Sequence, residues 1–286
     1  MSSPVKTSLA ILLAGWGAMP ASAAVYQRLY VFGDSYSDIG AGYVDGNGPT
    51  AVAYLAWDMG LRFTHAKAAN AADKSLDFAV SGARTGEGDG RHVKDALLGY
   101  GMMNQTKDFA ARVQSGEIHF DPATTLFFIA GGLNDGRLPS ETTVANLERE
   151  IEILQGLGGR HFTVAMLPTQ IPSFAAVGQR LNPVLARLVE EERAKLHVDL
   201  WLNHWGADFD EVMNHPAAYG ILHTTGRCAG RAIFDQDPTP IGDPDTYFYY
   251  HEGHPSTAVH RIVGQKLYGE VMAHAAQPEP PVPSTP

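Results

Sequence analysis

Ser35 stands in the run Gly33-Asp34-Ser35-Tyr36-Ser37-Asp38, directly after the apolar stretch Leu29-Tyr30-Val31-Phe32. A buried strand that ends in Gly-Asp-Ser presents a hydroxyl at the carboxyl edge of a sheet, the edge at which open α/β sheets bind ligands. Gly, Asp and Ser are also ordinary turn residues, so the run alone carries little weight. It gains weight from three later segments: SGARTG (81–86), GGLND (131–135) and HEGHPS (251–256). His254 lies in Gly253-His254-Pro255 just ahead of a helical pattern, so a rigid turn holds its ring. Gly82 follows Phe78-Ala79-Val80, and a glycine there lets the backbone approach a ligand closely. Asn134 follows the apolar run 127–132, and its amide donates hydrogen bonds without changing protonation state. A hydroxyl nucleophile, an imidazole base and fixed N–H donors are the parts that acyl transfer needs. The reading is Ser35 as nucleophile and His254 as base, with Gly82 and Asn134 as oxyanion donors.

These groups need strands to end beside one another. Short runs that are apolar nearly throughout recur at Leu29–Phe32, Leu76–Val80, Thr125–Ala130, Phe162–Leu167 and Val198–Leu202. Such continuity suits strands covered on both faces, as in a parallel sheet. Between them Val144, Leu147, Ile151 and Leu154 recur at helical spacing, and Gly156, Gly158 and Gly159 end that run. A second helix is expected to start with Asn182 as cap and Pro183 in its first turn, and a third at Ser256 or Thr257. Asp208 to Tyr250, rich in Gly, Pro and Asp, reads as a long loop forming one wall of a cleft, and GEGDGR (86–91) as flexible loop. Strand and helix in alternation predict an α/β fold, three layers deep, with a central, mostly parallel sheet.

The chain has 286 residues, is 44% hydrophobic and carries a formal net charge of −10. That length buries one full core. An acidic chain with no basic patch argues against nucleic acid and anionic membrane surfaces as partners. Lys6, the apolar stretch Leu9–Gly17 and Ala21-Ser22-Ala23 have the order of an export signal with its cleavage site. The expected organisation is therefore a signal peptide over 1–23, one domain over 24–275 and a proline-rich disordered tail over 276–286. The protein would be secreted or periplasmic, with no stable membrane insertion. Cys228 is the only cysteine, which rules out an intramolecular disulfide.

The segments around Ser35, Gly82, Asn134 and His254 resemble the blocks of the GDSL, or SGNH, esterase/lipase family in its bacterial secreted branch. All four residues for which that family is named have counterparts, in the family's order. DPATTLFFIAGGLND, VAMLP and NHPAAYGI extend the similarity over about residues 28–272. The resemblance implies a flavodoxin-like three-layer hydrolase fold and an acyl-enzyme mechanism without a cofactor. Ser35 would attack, His254 would act as base and then acid, and the N–H groups of Ser35 and Gly82 with the Asn134 amide would bind the oxyanion. Substrates would be acyl or acetyl esters of lipids, small molecules or glycans.

One position departs from the family. Three residues before the histidine, where an aspartate usually orients the ring, this chain has His251. Glu252 turned inward could take over. So could a backbone carbonyl, or a carboxylate from the acidic loop at Asp235, Asp237, Asp243 or Asp245; otherwise the site is impaired. The expectation is a working Ser-His pair with a weaker or alkaline-shifted pH profile, in which His251→Asp preserves or raises activity. The alternative is an impaired protein of the same fold that binds lipid or carbohydrate. A zinc site at His251-Glu252-Gly253-His254 fails on spacing, because that motif needs its histidines four apart on a helix. Tyr247, Phe248, Tyr249, Tyr250, Trp201 and Trp205 are candidates to line the cleft.

Overall fold

A computed structural model describes residues 26–71 and 73–277. In chain order come β1 (Arg28–Gly33), α1 (Ala51–Asp58), β2 (Phe63–His65), β3 (Ser75–Asp77), β4 (Asp89–Val93) and β5 (Ala96–Tyr100). They are followed by α2 (Met102–Gln114), β6 (Thr125–Ala130), α3 (Ser140–Gly156), β7 (His161–Ala165) and α4 (Ala175–Leu196). The last are β8 (Asp199–Asn203), α5 (Trp205–Asn214), β9 (Tyr249–His251), β10 (His254–Pro255) and α6 (Thr257–Ala275). The export signal expected over 1–23 and nearly all of the expected tail lie outside the described residues.

Six strands form one parallel sheet in the order β2-β3-β1-β6-β7-β8. β1 runs beside β6 in unbroken register from Arg28↔Thr125 to Gly33↔Ala130. Every residue of β6 is buried, as a strand with a helical layer on each face requires. The helices pack in two groups, α1 with α6 and α5, and α2 with α3 and α4. This is the three-layer α/β fold expected from the sequence. The chain leaves β1 for one side of the sheet and later returns to the other, so β1 lies at the switch in strand order. A crevice opens at the carboxyl ends of strands at such a switch. The segments after β3, β1 and β6 carry Gly82, Ser35 and Asn134.

Four local expectations differ from the structure. The strand expected over Leu76–Val80 is assigned only to Asp77, although Phe78 N still donates to Val31 O at 2.8 Å and Val80 N to Gly33 O at 3.2 Å. The helix expected to start at Asn182 begins at Ala175 and contains Pro183. Asn182 is no cap: its amide bonds both the N–H and the carbonyl of Leu167, at 2.8 and 2.9 Å, and anchors the chain beyond β7. Burial of Leu181, Leu185, Leu188 and Val189 outweighs the backbone hydrogen bond that proline forfeits. The segment expected as flexible loop at 86–91 runs into β4, which pairs antiparallel with β5. The long loop expected from Asp208 is helical through Asn214, in α5, before short 3₁₀ turns take over.

Candidate active site

Gln105 of α2 holds the end of β1, accepting from Gly33 N at 3.0 Å and donating to Gly33 O at 2.9 Å. The chain then turns tightly: Ser37 N and Asp38 N both bond Asp34 O, and Asp34 Oδ1 accepts from Tyr36 N. This turn lifts Ser35 out of the sheet into a cleft. Burial pushes the Asp34 carboxyl up to about 7. Ser35 Oγ lies 2.8 Å from His254 Nε2, so the sequence-predicted nucleophile and base meet.

The histidine turn is held from below. Tyr36 donates its hydroxyl to Gly253 O at 2.8 Å, and Gly253 has φ +72°, a left-handed conformation that glycine adopts without strain. His254 Nδ1 faces two groups, the carbonyl of Glu252 at 3.0 Å and Arg231 Nη2 at 2.5 Å. A guanidinium only donates and a carbonyl only accepts, so each favours a different tautomer. The base-competent form carries its proton on Nδ1, donated to Glu252 O, and turns the Nε2 lone pair toward Ser35. Burial holds the His254 pKa below its ordinary 6.5; Asp45 opposes that shift, and Arg231 and His251 add to it.

His251 is buried and does not touch the His254 ring nitrogens. Its Nδ1 bonds Asp45 Oδ1 at 2.8 Å. The same Asp45 oxygen lies 3.0 Å from Arg231 Nε, and Asp45 Oδ2 lies 3.3 Å from His254 Nε2. Glu252 serves through its backbone only, since its carboxylate is 82% exposed and 3.5 Å from Arg227. Asp235 pairs with Lys94, while Asp237 and Asp243 bond backbone N–H groups of their own turns. Sequence reasoning missed both Asp45 and Arg231. The available signal for Asp45 was indirect: Asp38, inside GDSYSD, binds the N–H groups of Gly40, Gly42 and Tyr43 and so shapes the loop leading to it.

The residues expected from the sequence as oxyanion donors line the same cleft as Ser35 and His254. Among the described residues, the N–H groups of Ser35 and Gly82 have no hydrogen-bond partner. Gly82 has φ +79°, which a side chain would strain. Asn134 donates its amide to Ala83 O at 3.0 Å, and the residue lines the cleft. Asp135 fastens this corner, accepting from Thr85 N, Thr85 Oγ1 and Thr143 Oγ1.

The cleft has a volume of about 440 Å³. One wall is the β4–β5 hairpin, through Gly90, Arg91, Leu98 and Gly99; the segment bearing Arg231 and Phe234 lines it as well. Lys94 at the hairpin tip ties the two together, donating to Ala232 O at 2.6 Å and Asp235 Oδ1 at 2.7 Å. The aromatics expected in the cleft do not line it. Trp205 and Phe248 are fully buried, and Trp201 stacks on His274. Among the described residues, the one group of three side chains close enough to share an ion is Glu148, Glu152 and Glu192; Lys195 Nζ lies within 3.0 Å of each.

The model of the family described as GDSL-like lipase/acylhydrolase matches residues 29–267. No curated protein matches the chain. Among solved structures, the family 3 carbohydrate esterase of Clostridium thermocellum is similar in fold, with a TM-score of 0.50 and 14% identity over 88% of this chain and 98% of that one. A member of the lipolytic G-D-S-L family from Veillonella parvula is 15% identical over 86% of this chain and 98% of that one, with a TM-score of 0.46.

Proposed function

This chain belongs to the GDSL-like lipase/acylhydrolase family and is an ester-bond hydrolase, and from that premise we propose that it works through an acyl-enzyme on Ser35 with His254 as general base. The observation that carries the proposal is the 2.8 Å contact between Ser35 Oγ and His254 Nε2, beside two unpartnered backbone N–H groups and the Asn134 amide. As Oγ bonds the acyl carbon, its proton passes to Nε2 and negative charge collects on the carbonyl oxygen. The N–H groups of Ser35 and Gly82 and the Asn134 side chain hold that charge. His254 then returns the proton to the departing alkoxide, and water repeats the sequence in reverse order to release the acid. The binding-only alternative drew its support from the missing aspartate, and Asp45 supplies a carboxylate beside the ring.

Hydrolysis of p-nitrophenyl acetate, butyrate and a long-chain ester tests this. Ser35→Ala is expected to lower kcat by at least about 10³-fold, as loss of a nucleophile does elsewhere, with the thermal melt unchanged. Turnover undiminished in that variant would remove Ser35 from the mechanism. We further propose that the protein acts outside the cytoplasm, on the strength of the signal-like residues 1–23. Protein recovered after export is expected to begin at Ala24, and an uncleaved amino terminus counts against it.

A further inference from the structure

The family's orienting aspartate is absent, yet a carboxylate stands against the imidazole from another direction. Among the described residues, Asp45 is the only carboxylate within 4 Å of a ring nitrogen of His254. We propose that Asp45 replaces the missing acid as a positioning residue, stabilising the His254 imidazolium from the Nε2 side, with His251 and Arg231 as its own supports. The inference rests on the serine mechanism proposed above.

Three features carry it. First, the carboxylate is buried and held: its side chain is 7% exposed, Oδ1 bonds His251 Nδ1 at 2.8 Å, and the Arg231 guanidinium pairs with it by charge at 3.0 Å. Residue 251 thus keeps a part in the site, holding the acid instead of supplying it. Second, the loop is anchored on both sides of Asp45. Ahead of it Asp38 Oδ2 accepts from Tyr43 N and from Ser81 N, and behind it Asn47 Oδ1 accepts from Thr257 N at the start of α6. Third, the contact is selective for charge. While Nε2 is unprotonated and its lone pair is on Ser35 Oγ, the neutral ring gains little from Asp45. Once Nε2 has taken the Ser35 proton, the imidazolium charge stands 3.3 Å from Asp45 Oδ2. An interaction that strengthens only as the proton moves lowers the barrier and not the ground state.

The groups facing His254 also fix the sign of the pH effect. Asp45 favours the charged ring; Arg231 and His251 oppose it; the Glu252 carbonyl accepts the Nδ1 proton; Tyr36 packs against the ring and His260 lies close enough to interact. Removing the Asp45 charge therefore makes His254 a weaker base.

The test is the pH profile of p-nitrophenyl acetate hydrolysis. Asp45→Asn is expected to lower kcat at least about 100-fold and to move the acid limb of kcat/KM to lower pH. Asp45→Asn/His251→Asp returns a carboxylate to the position three before His254 and is expected to regain at least tenfold over the single variant. Should Asp45→Asn fail to fold, Asp45→Ala with added formate takes its place; Asp45 lines the cleft, so the space it leaves opens to solvent. Turnover restored by formate and not by chloride supports the proposal. Activity of Asp45→Asn within threefold of the parent, with an unmoved acid limb, overturns it, as does an Asp45→Ala variant indifferent to formate. Retained activity in Ser35→Ala would instead overturn the serine mechanism, so the two failures are distinguishable.

Discussion

Two opposite charges bracket one imidazole here, Asp45 at Nε2 and Arg231 at Nδ1, and each substitution beside the ring has a predictable direction. Arg231 lowers the His254 pKa, so Arg231→Gln is expected to move the acid limb of kcat/KM to higher pH, the reverse of Asp45→Asn. A pH–rate series on both variants checks the opposed signs. In the parent, burial dominates and holds His254 below its ordinary 6.5, so the acid limb is expected below that value, and the same series checks this against the alkaline shift expected from the sequence. The expectation for His251→Asp also changes. With Asp45 in place, a carboxylate at 251 would confront Asp45 in a buried pocket, so the single variant is expected to lose activity that the Asp45→Asn background restores. Ser35, Gly82 and Asn134 stood out because each follows an apolar run, and His254 because it sits in a Gly-His-Pro turn ahead of a helical pattern. Asp45 did not, because its hydrogen bond to His251 spans 206 residues and nothing local announces it.

The secondary structure was legible where burial is continuous and obscure where it is partial. β1 and β6 stood out as apolar runs, whereas no residue of β4 or β5 is fully buried and the pair gives no periodic signal. That hairpin nevertheless walls the cleft, and Lys94 ties its tip across to Ala232 and Asp235. The Lys94–Asp235 pair is exposed at both ends and should contribute no more than about 1 kcal/mol to stability. Lys94→Ala is therefore expected to leave the thermal melt within about 2 °C while raising the rate on butyrate relative to acetate, as the walls part more easily. An unchanged acyl preference would show that the tie does not shape the cleft. The α4 start was misread for a related reason: Pro183 is a strong local signal, and long-range packing overrode it.

Over the whole molecule, buried ionisable groups set opposed pH dependences of stability. Glu150 on α3 is fully buried, neither oxygen has a partner among the described residues, and burial with the nearby Asp135 charge raises its pKa well above 4.5. The folded chain thus holds a proton that the unfolded chain releases above about 4.5, and the stability due to that proton is lost as pH rises toward the folded pKa. Glu150→Gln is expected to raise the melting temperature by a few degrees at pH 8 and to change it little at pH 4, measured by calorimetry. His260 acts in the reverse sense. Burial holds it at about 3 against an ordinary 6.5, so stability falls as acid protonates the unfolded chain within that window. Ser35 and His254 are separated by 219 residues, one just after the first strand and the other just before the last helix, and α6, which follows His254, packs on α1. Activity regained during refolding is therefore expected to require this long-range closure and to appear no earlier than the circular-dichroism signal of the central sheet, which makes turnover a reporter of chain ends brought together.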